Sequence, residues 1–159
     1  MATLILQDTY RALEEEMKSI DKLRTETSLK IKEAASHGDL KENYEYKAAK
    51  EAMSLVIYKK QLLQSHAPFR FIEYGEIETD EVGFGNKVTI REEGKDDAEH
   101  YYLLGPIEFE LDLYPMIVTY HSAFGQAIFG KKIDEDFTLE IKGKETKFII
   151  AAIEKISSE

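Results

Sequence analysis

Apolar residues recur at three- and four-residue steps in the first 67 residues, in two stripes separated by a short break. The first stripe consists of Tyr10, Leu13, Met17, Ile20, Ile31 and Ala34. The second consists of Tyr46, Ala49, Met53, Val56 and Leu63. Arg24 and Thr27 weaken the first stripe, and Lys60 interrupts the second. Two such stripes joined by a tight turn predict an antiparallel α-helical coiled-coil hairpin.

The break between the stripes lies at Gly38, the single glycine of residues 1–67, which contain no proline. Glycine ends helices readily because it adopts a left-handed conformation without a Cβ clash. Asp39 follows directly and is a good N-cap. We therefore predict that one helix ends at His37-Gly38 and that the next begins at Asp39. A turn this short places Asp39 and Glu42 at the far end of the hairpin.

From residue 68 onward the pattern shifts towards a period of two, which is typical of strands. The predicted strands are Phe69–Tyr74, Lys87–Glu92, Glu99–Leu104, Ile107–Leu113, Met116–Tyr120, Phe137–Ile141 and Lys147–Ile156. One short helix is expected at Ser122–Phe129, capped by Ser122 and closed by Gly130. The fold class is therefore α+β, with a coiled coil over residues 1–67 and a mainly antiparallel β domain over residues 68–159.

The net charge of −10 lies in the second half of the chain. Residues 1–67 carry eleven basic and eleven acidic side chains, whereas residues 68–159 carry ten and twenty. The second half would repel phosphates, so DNA binding is not expected, and it suits a basic protein surface better. The absence of cysteine excludes disulfides and cysteine-ligated zinc. We see no signal peptide and no membrane-spanning segment, so a cytoplasmic protein is expected.

Gly125–Lys132 comes within one residue of a phosphate-binding loop. Lys132 stands where a serine or threonine would hold magnesium, and the intervening residues are apolar at helical spacing. A helix closed by a glycine cap is therefore favoured over nucleotide binding. The four histidines show no metal-ligand spacing.

Asp39 and Glu42 allow two interpretations. Asp-x-x-Glu is a variant of the capping box, in which Asp39 caps the helix and Glu42 reaches back. Alternatively, two carboxylates at a projecting tip are oxygen ligands, and magnesium accepts one or two carboxylates while keeping its waters. Two carboxylates alone would hold the ion weakly, so the tip would complete a site on another molecule. Residue chemistry leaves both interpretations open, and capping is the commoner one.

The turn resembles the bacterial GreA/GreB family of transcript cleavage factors. The resemblance is carried by His37–Asn43, followed by Glu45-Tyr46 and Ala48-Ala49. A weaker match is Ser122 followed by Ala127–Lys132. The resemblance implies an N-terminal coiled coil with its acidic tip at residues 38–43 and a C-terminal FKBP-like domain that docks on RNA polymerase.

The resemblance also implies an accessory factor and not an enzyme. Such a factor inserts its coiled coil into the secondary channel of RNA polymerase and stimulates cleavage of backtracked RNA near its 3′ end. Asp39 and Glu42 match the tip acids that help hold a Mg²⁺ ion shared with the polymerase, and no cofactor is expected on the chain alone. Contacts with RNA or polymerase are implied for Lys41, Asn43, Tyr46, Lys47 and Lys50. We expect a monomer.

Two residues depart from the family pattern. Ala35 stands where many members carry arginine, and Ala123 stands where the family has proline. The competing functions are a Gre-like inhibitor that occupies the same channel, an FKBP-type prolyl isomerase or chaperone, and a structural coiled coil. Gre-like inhibitors carry more acidic tips than residues 39–42 of this chain. In FKBP isomerases a tryptophan usually forms the floor of the pocket, and this chain contains no tryptophan.

Overall fold

The computed structural model describes residues 2–38 and 43–157. Contacts divide the chain into two compact units, Arg11–Ala67 and the combination of Met1–Tyr10 with Pro68–Glu159. The first ten residues therefore group with the second unit, whereas the sequence pattern assigned them to the coiled coil.

The predicted helical hairpin is confirmed. It consists of α1 (Gln7–Ala35) and α2 (Tyr44–Gln64). Buried residues recur every seventh position, at Leu13, Ile20, Thr27 and Ala34 on α1 and at Ala49, Val56 and Leu63 on α2. This heptad spacing is that of a coiled-coil core. The polar Thr27 is part of that core, although it weakens the apolar stripe in the sequence.

Ion pairs between the two helices show that they run in opposite directions. Lys60 Nζ lies 2.7 Å from Asp21 Oδ1, and Lys59 Nζ lies 2.6 Å from Glu16 Oε1. Residues late in α2 therefore face residues early in α1. Exposed pairs of this kind add little stability, on the order of 0–1 kcal/mol each, so the hairpin depends chiefly on its apolar seam.

In the part of the chain that the structure describes, the second unit contains seven strands. They are β1 (Thr3–Leu6), β2 (Phe69–Ile72), β3 (Asn86–Glu92), β4 (Ala98–Leu104), β5 (Ile117–Thr119), β6 (Asp136–Ile141) and β7 (Lys144–Lys155). A five-stranded sheet has the order β5-β4-β3-β7-β6, and β1 pairs with β2 in a separate parallel sheet. Neighbours in the larger sheet are antiparallel except for β4 and β5, so the sheet is mixed.

The strand predicted at Ile107–Leu113 was wrong, because this segment begins with the short helix α3 (Pro106–Glu110). The apolar residues alternate with acidic ones as in a half-buried strand. However, Pro106 occupies the first helical turn, where its φ is already helical and no N–H is needed. The local backbone preference of proline therefore overrides the period-two pattern.

Glu108 of α3 is completely buried. Its carboxylate accepts hydrogen bonds from Gly105 N–H at 2.9 Å and from Leu6 N–H at 3.2 Å, and its side chain also bonds with that of Thr9. Burial raises the pKa of Glu108 above its ordinary value, against the opposing effect of these hydrogen bonds. Glu108 thereby joins β1 to α3, a contact that the sequence pattern did not predict.

The helix predicted at Ser122–Phe129 is confirmed as α4, which spans Ala123–Ile128. Ser122 Oγ accepts a hydrogen bond from Gly125 N–H at 2.9 Å, and Gly130 has a φ of 81°. A Cβ at Gly125 would collide with the carbonyl oxygen of Thr119. Only glycine therefore allows α4 to lie this close to the end of β5. Ile128 enters the core of the larger sheet, so Gly125–Lys132 is a helix and its cap, as predicted. The described residues of the second unit thus include two short α-helices, α3 and α4, and a 3-10 helix at Tyr74–Glu76.

Candidate functional site at the turn of the hairpin

Asn43 joins the two helices at the turn. Its Oδ1 accepts a hydrogen bond from Tyr46 N–H at 3.0 Å and so caps α2. Its Nδ2 donates to the carbonyl oxygen of Ala34, in the last turn of α1, at 2.6 Å. We call this pair of hydrogen bonds the Asn43 clasp. The prediction that α2 begins at Asp39 was wrong, because the N-cap of α2 is Asn43, a residue type that caps about as well as Asp.

The predicted tip residues Asp39, Lys41 and Glu42 lie outside the described residues, so their roles stay predictions. The structure describes what flanks them. Gly38 has a φ of 116°, which favours glycine, and Asn43 is clasped to α1. The capping-box interpretation placed Asp39 at the N-cap of α2, and Asn43 holds that position.

Aromatic and basic side chains lie together on the first two turns of α2. Lys47 Nζ lies 5.8 Å from the centroid of the Tyr44 ring, and Lys50 Nζ lies 5.4 Å from that of Tyr46. These are attractive cation–π distances. The Tyr44 side chain is 83% exposed. We call Tyr44, Tyr46, Lys47 and Lys50 the aromatic–basic surface. Positive groups beside open aromatic rings are the combination that binds single-stranded nucleic acid.

The structure thus separates the predicted contact residues into two groups. Tyr46, Lys47 and Lys50 lie close to one another, whereas Asn43 is half-buried in the clasp. Tyr44 was not among the residues predicted from the sequence. Its position directly after a helix cap, off the apolar stripe, is the signal that would have indicated an exposed ring.

The described part of the chain contains no group of three or more His, Cys, Asp or Glu side chains that could hold a metal ion. The magnesium ligands predicted from the sequence, Asp39 and Glu42, are not among these described residues. Carboxylate oxygens are the donors that this ion prefers. Among the described residues no helix is both long and apolar enough to cross a membrane.

Comparison with known proteins gives matches in both units. The family model described as "Transcription elongation factor, N-terminal" matches residues 3–65, and "Transcription elongation factor, GreA/GreB, C-term" matches residues 77–155. Transcription elongation factor GreA of Thermodesulfovibrio yellowstonii is 32% identical over 146 residues, which cover 91% of each chain. GreA of Streptococcus pneumoniae is 36% identical over 132 residues, 80% of each chain.

One solved structure that the comparison matches is that of GreA factor homolog 1 from Thermus thermophilus. It aligns with 96% of this chain and 99% of its own, at a TM-score of 0.44 and 18% identity. The two matched family regions, residues 3–65 and 77–155, include nearly all of the helical hairpin and of the mixed sheet.

Proposed function

The chain belongs to the GreA/GreB family of transcription elongation factors, and on this premise we propose that it binds RNA polymerase and stimulates cleavage of backtracked nascent RNA. In this proposal the hairpin enters the secondary channel, and the turn with Asp39 and Glu42 reaches the catalytic centre. The chain acts as an accessory factor, because the active site and its magnesium belong to the polymerase.

The dimensions of the hairpin support this proposal. The 21 residues of α2, at 1.5 Å per residue, extend for about 30 Å. The heptad seam and the pairs of Lys59 with Glu16 and Lys60 with Asp21 keep the two helices together along this length. A stiff two-helix rod is narrow enough to carry side chains at its turn into a channel that excludes a globular domain.

The Asn43 clasp is the observation that carries the proposal furthest. It joins the last turn of α1 to the first turn of α2, so residues 39–42 connect two helix ends that are held together. Because the clasp already holds the two helix ends together, bringing them together costs no further conformational entropy on binding. Hydrolysis of a phosphodiester by two metal ions needs charge stabilisation and an activated water, which Mg²⁺ supplies. The carboxylates of Asp39 and Glu42 would provide oxygen ligands for that ion.

The aromatic–basic surface suits the nascent RNA. Lys47 and Lys50 can pair with phosphates, and the exposed ring of Tyr44 can stack on an unpaired base. The surface begins one residue after Asn43, so RNA bound there lies beside the turn. Ala35 lacks the positive charge of the arginine that many family members carry at this position. Lys47 and Lys50 remain on α2 to hold the transcript.

The proposal is tested with purified RNA polymerase in a backtracked complex that carries end-labelled RNA. We expect the chain to accelerate Mg²⁺-dependent removal of a 3′ fragment and to restore elongation. Slower elongation without cleavage would instead establish the Gre-like inhibitor. Catalysis of proline isomerisation in a test peptide, without any effect on the complex, would establish the isomerase.

Variants of Asn43 test the clasp. Asn43→Asp keeps the acceptor for Tyr46 N–H but loses the donor to Ala34, whereas Asn43→Ala loses both. We expect cleavage to fall about tenfold in Asn43→Asp, the equivalent of one lost hydrogen bond. Asn43→Ala should lose a further ~1 kcal/mol of helix stability through the missing cap. Cleavage rates and thermal unfolding followed by circular dichroism measure both effects.

Ser36→Ala is the matched control for the clasp. The Ser36 hydroxyl lies near the turn but donates to Glu33 within the same helix region, so this bond does not join α1 to α2. We expect near-normal cleavage in this variant. If Asn43→Asp also cleaved at the normal rate, the clasp would not be what holds the turn in position.

A further inference from the structure

A cavity of about 370 Å³ opens on the larger sheet of the second unit. Its lining includes Ile90 of β3, Tyr101 of β4, Phe124 of α4 and Phe148 of β7. Ile90 is buried and the three aromatic side chains are half-buried, so the cavity opens from the core of the sheet to solvent. None of these residues belongs to the hairpin or to the function proposed above.

The floor of this cavity is aromatic and well supported. The ring centroids of Tyr101 and Phe124 are 4.9 Å apart. The buried Phe137 lies behind them, 6.1 Å from Phe124 and 5.5 Å from Phe148, with which it stacks. Ring pairs at these distances stabilise one another. These ring pairs hold the floor in place, and a planar group can stack on the face of one of its rings.

The rim of the cavity is acidic. Glu92, Asp97 and Glu99 line it together with the cation Lys95. Lys95 Nζ pairs with Glu92 Oε2 at 2.9 Å. Together, the three acidic residues and Lys95 give the rim a net charge of −2. The Tyr101 hydroxyl donates to the carboxylate of Glu99. Burial raises the pKa of Tyr101 to about 12, so the phenol remains a hydrogen-bond donor to that carboxylate.

We propose that this cavity binds an arginine side chain of a partner protein. A guanidinium group is planar, stacks on aromatic rings and donates several hydrogen bonds to carboxylates at once. A lysine ammonium would also pair with the rim and is attracted to ring faces, but it is more strongly hydrated and lacks the planar fork that binds two carboxylate oxygens at once. An apolar side chain or a proline would contact the floor but would offer no hydrogen-bond donor to Asp97 and Glu99. The net −10 charge of residues 68–159 favours approach of a basic partner surface.

The proposal is tested on the full chain alone, without polymerase, so its outcome is independent of the function proposed above. The probes are N-acetyl-arginine-N-methylamide and its citrulline counterpart, which has nearly the same shape and no charge. We expect arginine to shift the amide NMR signals of Ile90, Tyr101, Phe124 and Phe148. Citrulline should bind at least about tenfold more weakly, because it lacks the charge-assisted hydrogen bonds. Equal binding of both probes, no shifts at these residues, or tighter binding of a proline peptide there would overturn the proposal.

Charge variants separate this site from general attraction to an acidic protein. Asp97→Asn with Glu99→Gln should abolish the arginine-induced shifts. The control is Glu140→Gln with Glu145→Gln, which removes the same charge from an exposed pair that lies directly opposite on β6 and β7, outside the cavity. Asp97→Asn alone, in an exposed loop, serves as a second variant that leaves the strands intact. Equal losses in both double variants would contradict a specific site.

Discussion

Replacing Asp39 by Asn and Glu42 by Gln is expected to reduce stimulated RNA cleavage by at least about a hundredfold, the size of loss that follows removal of one group that stabilises transition-state charge. The amides keep the size and polarity of the carboxylates but are far weaker ligands for Mg²⁺. Affinity for RNA polymerase should be nearly unchanged, because the sheet unit and the flanks of the hairpin are untouched. Cleavage rates at saturating factor, together with competition binding, measure the two effects separately.

The matched control is Glu45→Gln with Glu51→Gln, which removes two carboxylates from exposed positions on α2 near the turn. We expect this variant to cleave at close to the normal rate. Circular dichroism of both double variants checks that the hairpin stays folded. If the variant Asp39→Asn with Glu42→Gln retained cleavage, the two carboxylates would have a role only in the structure of the turn and none in the reaction.

Replacing Glu108 by Ala is expected to lower the free energy of unfolding by about 2–5 kcal/mol, because the buried donors that Glu108 satisfies lose their acceptor. Glu108 accepts hydrogen bonds from Leu6 N–H and Gly105 N–H, and its side chain bonds with that of Thr9. Without the carboxylate these buried groups lack their acceptor, at about 1–3 kcal/mol for each unsatisfied group. Urea denaturation measures the loss. Glu110→Ala, at an exposed position of the same helix, should change stability by less than about 0.5 kcal/mol.

The stability contributed by Glu108 should also depend on pH. Burial raises its folded-state pKa above the unfolded value of 4.5, so the folded chain binds this proton more tightly than the unfolded chain. Stability therefore falls as pH rises from about 4.5 through the folded-state pKa. Glu108→Gln cannot titrate, so the stability of the natural chain relative to this variant should decrease across that window. A relative stability that rises with pH would show that the hydrogen bonds outweigh burial and lower the pKa.

The helical half of the fold could be predicted from the sequence because its signals are long and repetitive. Apolar residues recur over many turns, and Gly38 is the one glycine before residue 68. The β-strands of the larger sheet were also found, since each is rich in β-branched, aromatic or other apolar residues and lies between turn residues. The start of α2 was misplaced, because Asp and Asn are about equally good caps and the hydrogen bond from Asn43 to Ala34 of the other helix is not visible in a local pattern.

The short elements were missed or predicted wrongly for a different reason. Ile107–Leu113 alternates like a strand, but a single turn of helix at Pro106 satisfies the local backbone and buries Glu108 instead of exposing it. β1 has four residues with no alternation, and its strand identity comes from parallel pairing with β2, about 65 residues later in the chain. A buried carboxylate such as Glu108 depends on distant N–H donors, which no local pattern records.

Much of the candidate site could be inferred only through the family resemblance. The spacing of Asp39 and Glu42 is compatible with either a helix cap or a metal ligand pair, and residue chemistry favours the cap. The structure adds that Asn43 caps α2 and that Tyr44 extends the basic surface of Lys47 and Lys50. Exposure of a ring follows from the helical register, which depends on where the helix begins.

The most direct test of the shared-magnesium proposal is the dependence of cleavage on Mg²⁺ concentration in a backtracked complex. We expect the natural chain to lower the Mg²⁺ concentration that gives half-maximal cleavage. The double variant Asp39→Asn with Glu42→Gln should bind the polymerase equally well without that effect. A double variant that lowers the Mg²⁺ requirement as much as the natural chain would contradict the proposal that Asp39 and Glu42 supply ligands to the polymerase active site.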